Sequence, residues 1–314
     1  DGNDNCWYHL IALFYTDPLP CSIWGCGGRR IINLLGSLAM DQVLTFDRSN
    51  DVSKIEGCNT RGIEYRWNIF LDRIANIPTG SEVLDFGAGS LRDSFDLVSR
   101  NFHVTSIDMD PEIMSRYRTK YSWPDNGSRH DLIANGDLFD ALCRLDKKFA
   151  LITCFDVLEH LNDPVAALRV IKEKMAENGL LFVTVPNGRT LFELAFRFDL
   201  MIARATGRVL QPGEPHLQRN SPKQWKKIIS DAGLRVIDHD MEIGFFANTF
   251  AALVQLPLTF GGRILRSLGI QVNALAISEK ICNGPQASWL SFIDRHSKHI
   301  FGGLYGWNLF VISK

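Results

Sequence analysis

The sequence predicts an α/β fold with a doubly wound, parallel sheet, and three observations carry that prediction. Short apolar runs end in carboxylates, Val83-Leu84-Asp85 and Val104-Thr105-Ser106-Ile107-Asp108. A glycine-rich turn, Gly87-Ala88-Gly89-Ser90, comes just after the first of them. Helical patterns then alternate with buried runs as far as Asn187, the layout of a sheet covered on both faces.

In chain order, Tyr65, Ile69, Leu71, Ile74 and Ile77 are spaced for an amphipathic helix from about Gly62, closed by Pro78-Thr79-Gly80. The first strand and its turn follow, and Asp108 closes the second strand about twenty residues on. Asn135-Gly136-Asp137 offers polar groups. Phe149–Cys154 is a buried strand running into Phe155-Asp156-Val157-Leu158-Glu159-His160-Leu161, and Gly179–Val185 is another, closed by Pro186-Asn187. Ligands of such sheets sit outside the strand C-terminal ends, where strand order reverses. Asp85, Asp108, Asp137 and Phe155 all fall at or just after strand ends, so they can share one crevice.

Asp85 constrains what that crevice binds. A dinucleotide turn presents backbone N–H groups to a pyrophosphate, and a carboxylate there repels phosphate. The Gly-x-Gly-x-x-Gly spacing also fails, because Arg92 stands at the third position. An NAD-dependent oxidoreductase is therefore disfavoured. The site suits a nucleoside-shaped ligand carrying positive charge.

Residues 63–243 resemble a class I S-adenosylmethionine-dependent methyltransferase, close to the small-molecule group that includes the ubiquinone-pathway O-methyltransferases. The segment Glu214-Pro215-His216-Leu217-Gln218-Arg219-Asn220-Ser221-Pro222-Lys223-Gln224-Trp225, followed by Ala232-Gly233-Leu234, carries the same resemblance. It implies a seven-stranded, mostly parallel, Rossmann-like sheet, with Leu234–Asp238 as the sixth strand and Gly306–Lys314 as an antiparallel seventh. It implies S-adenosylmethionine as cofactor, with Asp85, Gly87 and Gly89 shaping the methionine pocket, Asp108 on the ribose hydroxyls, Asp137 facing the adenine amine and Phe155 beside the cofactor. Ser90 replaces the family's third glycine, at a position that faces helix packing. Arg61 and Arg66 are candidates for the methionine carboxylate.

The expected domain plan is an atypical extension over 1–39 and a methyltransferase domain over 40–314, with a lid at 188–220 and a helical insertion at about 244–303. The first 39 residues hold three of the seven cysteines, carry five charged residues and lack a signal-peptide layout. They read either as upstream sequence ahead of a start at Met40 or as a membrane- or partner-binding arm. Thr190–Val209 is an apolar-rich helix, and Phe245–Leu258 reads as a cap over a hydrophobic substrate, a membrane-surface element or a packed helical addition.

Composition narrows the partners. A net charge of −1 and a pI near 6.8 leave no footprint for nucleic acid. Seven cysteines without a regular framework predict reduced thiols and a cytoplasmic chain, and Cys21-x4-Cys26 lacks the second pair a structural zinc needs.

The expected activity is methylation of a small or lipid-like acceptor, on oxygen, with peripheral membrane contact as a further expectation. The competing reading is a non-catalytic binding protein on the same scaffold. Methyl transfer needs alignment and a proton acceptor more than a nucleophile motif, and no Gly-x-Ser-x-Gly elbow is present. His160 and His216 are the candidate bases. The ubiquinone-pathway enzymes bind a divalent ion through Glu-x-x-Glu-His. Here Asp156, Glu159 and His160 take those places at i, i+3 and i+4, and the favoured assignment is no metal, with Asp156 and Glu159 forming a capping box at a helix start.

Overall fold

The computed structural model describes residues 69–314 apart from 120, 126, 128, 135–136, 192, 195–196, 198–200, 202–215, 268–284 and 302–303. Arg61, Arg66, Asn135, Gly136, the 1–39 extension, Met40, the start of the first helix and most of the Thr190–Val209 segment therefore lie outside the described residues.

Seven strands form one sheet: β1 (Glu82–Phe86), β2 (His103–Asp108), β3 (His130–Ala134), β4 (Phe149–Phe155), β5 (Met175–Pro186), β6 (Arg235–Ile243) and β7 (Trp307–Ser313). Their order is β3-β2-β1-β4-β5-β7-β6. β1 pairs in parallel with β2 and β4, while β7 runs antiparallel between β5 and β6. The chain works outward from β1 to β3 and then crosses back to β4, so the order reverses between β1 and β4 and opens a crevice at their C-terminal ends.

Alternation along the strands supplies two cores. Leu84 and Phe86 of β1 and Leu181, Val183 and Val185 of β5 point to one face, against Ala167, Leu168, Ile171, Trp225 and Ile229. Val83 and Phe182 point to the other, against Phe70, Ile74, Leu97 and Val98. The first face is covered by α3 (Leu138–Arg144), α4 (Pro164–Lys174) and α5 (Pro222–Asp231), and the second by the helical residues 69–74 and α1 (Arg92–Ser99). A further helix, α2 (Pro111–Arg118), joins β2 to β3. Local chemistry sets the helix starts. Asp163 caps α4 ahead of Pro164, and Ser221 with Gln224 closes a full capping box ahead of α5.

Between β6 and β7 stand α6 (Phe245–Ser267) and α7 (Pro285–Phe301). They are tied by an unusual cap. Asp294 of α7 is buried, and its carboxylate accepts the N–H groups of Phe246 and Ala247, 2.8 and 2.9 Å away, at the start of α6. Gly244 makes room for it, since a Cβ there would lie 2.1 Å from the Asp294 carboxyl carbon. Burial raises the Asp294 pKa, so these N–H bonds must hold a desolvated charge. Asp294→Ala orphans N–H groups normally satisfied at a helix N-terminus and is expected to cost about 1–3 kcal/mol. Hydrogen exchange should locate the loss at residues 245–248, and unchanged protection there would show that the cap does not hold α6.

Candidate functional site

The β1–α1 turn is built for close approach. Gly87 and Gly89 take positive φ, 78° and 45°. A Cβ at Gly87 would lie 2.2 Å from Val157 Cγ2, whereas one at Gly89 would meet nothing within 4 Å. Side chains are thus excluded at Gly87 by the β4 turn, and Gly89 faces open space. The Gly87 and Ala88 N–H groups donate to the Ile107 carbonyl, which fixes the turn to the end of β2. Asp108 ties the two strand ends together: its carboxylate accepts Gly89 N–H at 2.7 Å and Asp110 N–H at 2.9 Å. Ser90 is buried beside the packed Leu91.

Asp85 lies beneath this turn and is only 3% exposed. It accepts hydrogen bonds from the hydroxyls of Ser94 and, at 2.8 Å, Thr153. The Ser94 hydroxyl continues to that of Ser106 at 2.7 Å, and Ser106 to His130 Nε2 at 2.8 Å. Burial and the nearby Asp93 push the Asp85 pKa up to about 6, against the pull of Ser94 and Thr153. Burial, with the charge of Arg118, lowers His130 to about 4. A neutral imidazole thus ends the chain.

Asp137 and Phe155 also reach the C-terminal edge. Asp137 is exposed and caps α3, accepting Phe139 and Asp140 N–H at 2.8 and 3.1 Å. Phe155 ends β4 opposite Thr184 and meets Phe70 edge-on at 6.3 Å.

The turn after β4 departs from the expected helix start. Asp156 has φ 57° and stands outside the single 3-10 turn Leu158–His160, whose cap, Val157, makes no side-chain bond. The Asp156 carboxylate instead accepts the Thr184 hydroxyl at 3.1 Å and the Trp307 indole N–H at 3.0 Å. The capping box and the i, i+3, i+4 alignment are therefore both absent, because Asp156 is itself left-handed and stands before the turn. Glu159 is fully buried and neither carboxylate oxygen has a hydrogen-bond partner among the described residues. Burial, then Asp156, holds its pKa well above the ordinary carboxylate range.

Two histidines close over Glu159. The Glu159 carbonyl accepts the N–H groups of Leu217 and Gln218, 2.7 and 2.9 Å away, which brings His216 to the turn. The His160 and His216 rings stand edge to face, 4.9 Å apart. His216 Nδ1 meets Glu193 Oε1 at 2.7 Å with both side chains buried, and Arg219 pairs with the other Glu193 oxygen at 3.6 Å. Glu193 was missed from sequence, although an acid inside the apolar run Leu191-Phe192-Glu193-Leu194 was the available signal. Ligand atoms of Glu159, His160 and His216 all lie within 4.8 Å of one another.

Residues 60–239, more than half the chain, match the family described as Methyltransferase domain. The chain belongs to the class I S-adenosylmethionine-dependent methyltransferases. Among curated relatives, this methyltransferase is similar to the ubiquinone biosynthesis O-methyltransferase of Xanthomonas axonopodis pv. citri, 28% identical over 162 residues, 51% of this chain and 65% of the relative. The Xylella fastidiosa protein of the same name is 32% identical over 135 residues, 43% of this chain and 52% of the relative. The methyltransferase thus spans less than two thirds of the length of these relatives. In fold it is similar to the cyclopropane synthase MmaA2 from Mycobacterium tuberculosis, with a TM-score of 0.51, 13% identity and coverage of 86% of this chain and 90% of that one. The mycolic acid cyclopropane synthase CmaA1, solved with SAH and CTAB, gives a TM-score of 0.50 at 14% identity over 80% of this chain and 85% of that one.

The Asp85 charge has a stability consequence in the ligand-free methyltransferase. Its folded pKa, about 6, exceeds the ordinary value of 3.8, so its contribution to stability is fully present below the unfolded pKa and is lost as pH rises through about 6. Asp85→Asn keeps partners for both hydroxyls and removes the charge. The variant is expected to be more stable than the parent at neutral pH by about 1–3 kcal/mol, a gain that vanishes toward pH 4. Urea titrations across that range give the comparison. A variant less stable at neutral pH would mean that the ionised carboxylate is stabilising.

Proposed function

We propose that this methyltransferase transfers a methyl group to the hydroxyl of a small or lipid-like acceptor held between the Gly87–Ser90 turn and the Glu159–His160–His216 cluster. The observation that carries the reading is the buried Glu193–His216 pair on the same edge as the cofactor turn, which Val157 joins to that cluster. When bound, S-adenosylmethionine supplies a methyl carbon activated by its sulfonium. Asp108 is assigned to the ribose hydroxyls, Gly87 and Gly89 to the backbone that follows the methionine portion, Asp137 to the adenine edge and Phe155 to the wall beside it. Asp85 acts from below, as a desolvated negative charge that a cationic ligand favours.

The acceptor oxygen forms its bond to the methyl carbon as the carbon–sulfur bond breaks and the electron pair returns to sulfur. The acceptor proton needs a base within hydrogen-bond reach. His216 is assigned that role. Glu193 on Nδ1 orients the ring and leaves Nε2 as the proton acceptor, while His160, standing across its face, is the second candidate.

Glu159 supports a second reading of the cluster. A fully buried carboxylate with two unbonded oxygens beside two imidazoles fits a divalent ion, held by Glu159, His160 and His216. Asp156, the counterpart of the family's first glutamate, is instead committed to Thr184 and Trp307. Two imidazoles and one carboxylate suit zinc, manganese or iron(II) better than magnesium, and such an ion lowers the pKa of a bound hydroxyl.

Assay with methyl-labelled donor across phenol, alcohol, carboxylate and amine acceptors, each with short and long alkyl tails, tests the proposal. Label is expected on a hydroxyl, with His216→Gln lowering kcat by about 100-fold or more while leaving S-adenosylhomocysteine affinity intact. Label on nitrogen, or unchanged kcat in the variant, would refute it. Asp108→Ala is expected to weaken S-adenosylhomocysteine binding about tenfold or more by calorimetry, through loss of a charge-assisted contact. The same affinity in a folded variant would take Asp108 out of the site. Chelation followed by elemental analysis decides between the two roles of the cluster. Full activity in metal-free protein leaves His216 as the unaided base, and loss of activity restored by one added ion assigns the cluster to that ion.

A further inference from the structure

α7 has two unlike faces. One is fastened to the protein: Asp294 caps α6, Lys298 meets Asp240 of β6 at 3.1 Å, and the Tyr305 hydroxyl donates to the Lys298 carbonyl. The other is bare. Trp289 is 69% exposed, Phe292 54% and Ile300 78%. With His296 they recur every three to four residues, so they form one stripe along the helix. Trp289 meets Phe292 edge-on at 6.3 Å and Phe292 lies 3.9 Å from the His296 ring, making a continuous aromatic strip. Large apolar side chains grouped this way on a helix whose other face is already anchored mark a surface that takes a partner.

Charge and place narrow the partner. The only acidic residue in α7 is Asp294, which is buried, while Arg295 and His299 are exposed. An interfacial tryptophan, aliphatic and aromatic neighbours, an exposed arginine and no exposed carboxylate are the features of a helix lying on an anionic lipid surface. Among the described residues no helix is long and apolar enough to cross a membrane. The helix also belongs to the right edge of the sheet. The insertion leaves at the C-terminal end of β6 and returns at the start of antiparallel β7, the edge at which β1 and β4 open the crevice. Trp307, the first residue of β7, is bonded to Asp156 in the turn that carries Glu159 and His160. Phe245 and Phe246, in the stretch read from sequence as a substrate cap, a membrane-surface element or a packed helical addition, are half-buried and packed on Phe301 at 5.2 and 5.1 Å.

We propose that α7 docks on an anionic phospholipid bilayer through Trp289, Phe292 and Ile300, with Arg295 toward the headgroups, so that the crevice edge lies at the membrane surface. Docking is independent of the acceptor and of turnover, so it stands or falls apart from the reaction assigned above.

The test is co-sedimentation of the full chain with vesicles of phosphatidylcholine alone and of phosphatidylcholine mixed with phosphatidylglycerol. Binding to the mixed vesicles is expected to be about tenfold or more tighter than to the neutral ones, and to weaken with added salt. The triple variant Trp289→Ser, Phe292→Ser, Ile300→Ser should lose about tenfold or more of that binding. S-adenosylhomocysteine calorimetry and circular dichroism confirm that the variant is folded, and Arg295→Glu, a surface change, is the second variant and should also weaken it. No binding of the parent chain to mixed vesicles, or equal binding by the folded variants, overturns the proposal. So does sedimentation velocity showing a parent dimer that the triple variant dissociates, since the stripe would then be covered by a second copy.

Discussion

The contact between Gly87 and Val157 is the constraint on which the rest of the site depends. β1 and β4 lie side by side in parallel, so the turns that follow them emerge as neighbours, and only a residue without a Cβ lets them close. One turn presents glycine backbone and is tied through the Gly89 N–H to Asp108 at the end of β2. The other leads through left-handed Asp156 to Glu159 and His160. Each is then secured from elsewhere in the fold, the first by the Ile107 carbonyl and the second by Thr184 and Trp307 from β5 and β7. The backbone carbonyl of Glu159 next recruits Leu217 and Gln218, and His216 arrives with them to meet Glu193. Separate stretches of chain thus meet through backbone bonds and bring their side chains into one small volume.

Buried carboxyl groups are concentrated in that region although the whole chain carries a net charge of only −1. Asp85, Glu159, Glu193 and Glu242 are all buried. Hydroxyl bonds moderate the desolvation of Asp85, and Arg219 with His216 faces Glu193, but among the described residues Glu159 has no hydrogen-bond donor on either oxygen. Burying carboxylates without cations is unfavourable. A region organised this way favours a positively charged ligand, an ion or a transferred proton. A sulfonium donor meets the first need, and the Glu159 cluster can answer either of the others.

The parts of this arrangement legible in the sequence are those written in neighbouring residues. Runs ending at Asp85, Asp108 and Cys154 put the strand ends within one residue of Phe86, Asp108 and Phe155, and the Asp85-to-Gly89 turn pointed to the cofactor class. The capping box of Ser221 and Gln224 at the start of α5 is local chemistry too, although the sequence reading used that segment only for its family resemblance. The helix expected across Asp156 to His160 failed for the opposite reason. Its spacing is helical, but Trp307, 151 positions away, competes for the Asp156 carboxylate and the backbone turns left-handed. Glu193 was hidden because its partner His216 lies 23 residues on. The α7 cap on α6 was equally invisible, since Asp294 and Phe246 are 48 positions apart and nothing in either neighbourhood announces the other. Periodicity reports what a segment does with its own neighbours, and these residues are set by distant ones.

The central claim is that the Gly87 turn and the Glu159–His160–His216 cluster serve one reaction. The most direct test is a crystal structure with S-adenosylhomocysteine bound. The account predicts the ribose on Asp108 and the sulfur facing the His160 and His216 rings across an opening large enough for an acceptor hydroxyl. A nucleoside bound on Asp108 with its sulfur turned away from both rings, or bound outside the β1–β4 crevice, would contradict it.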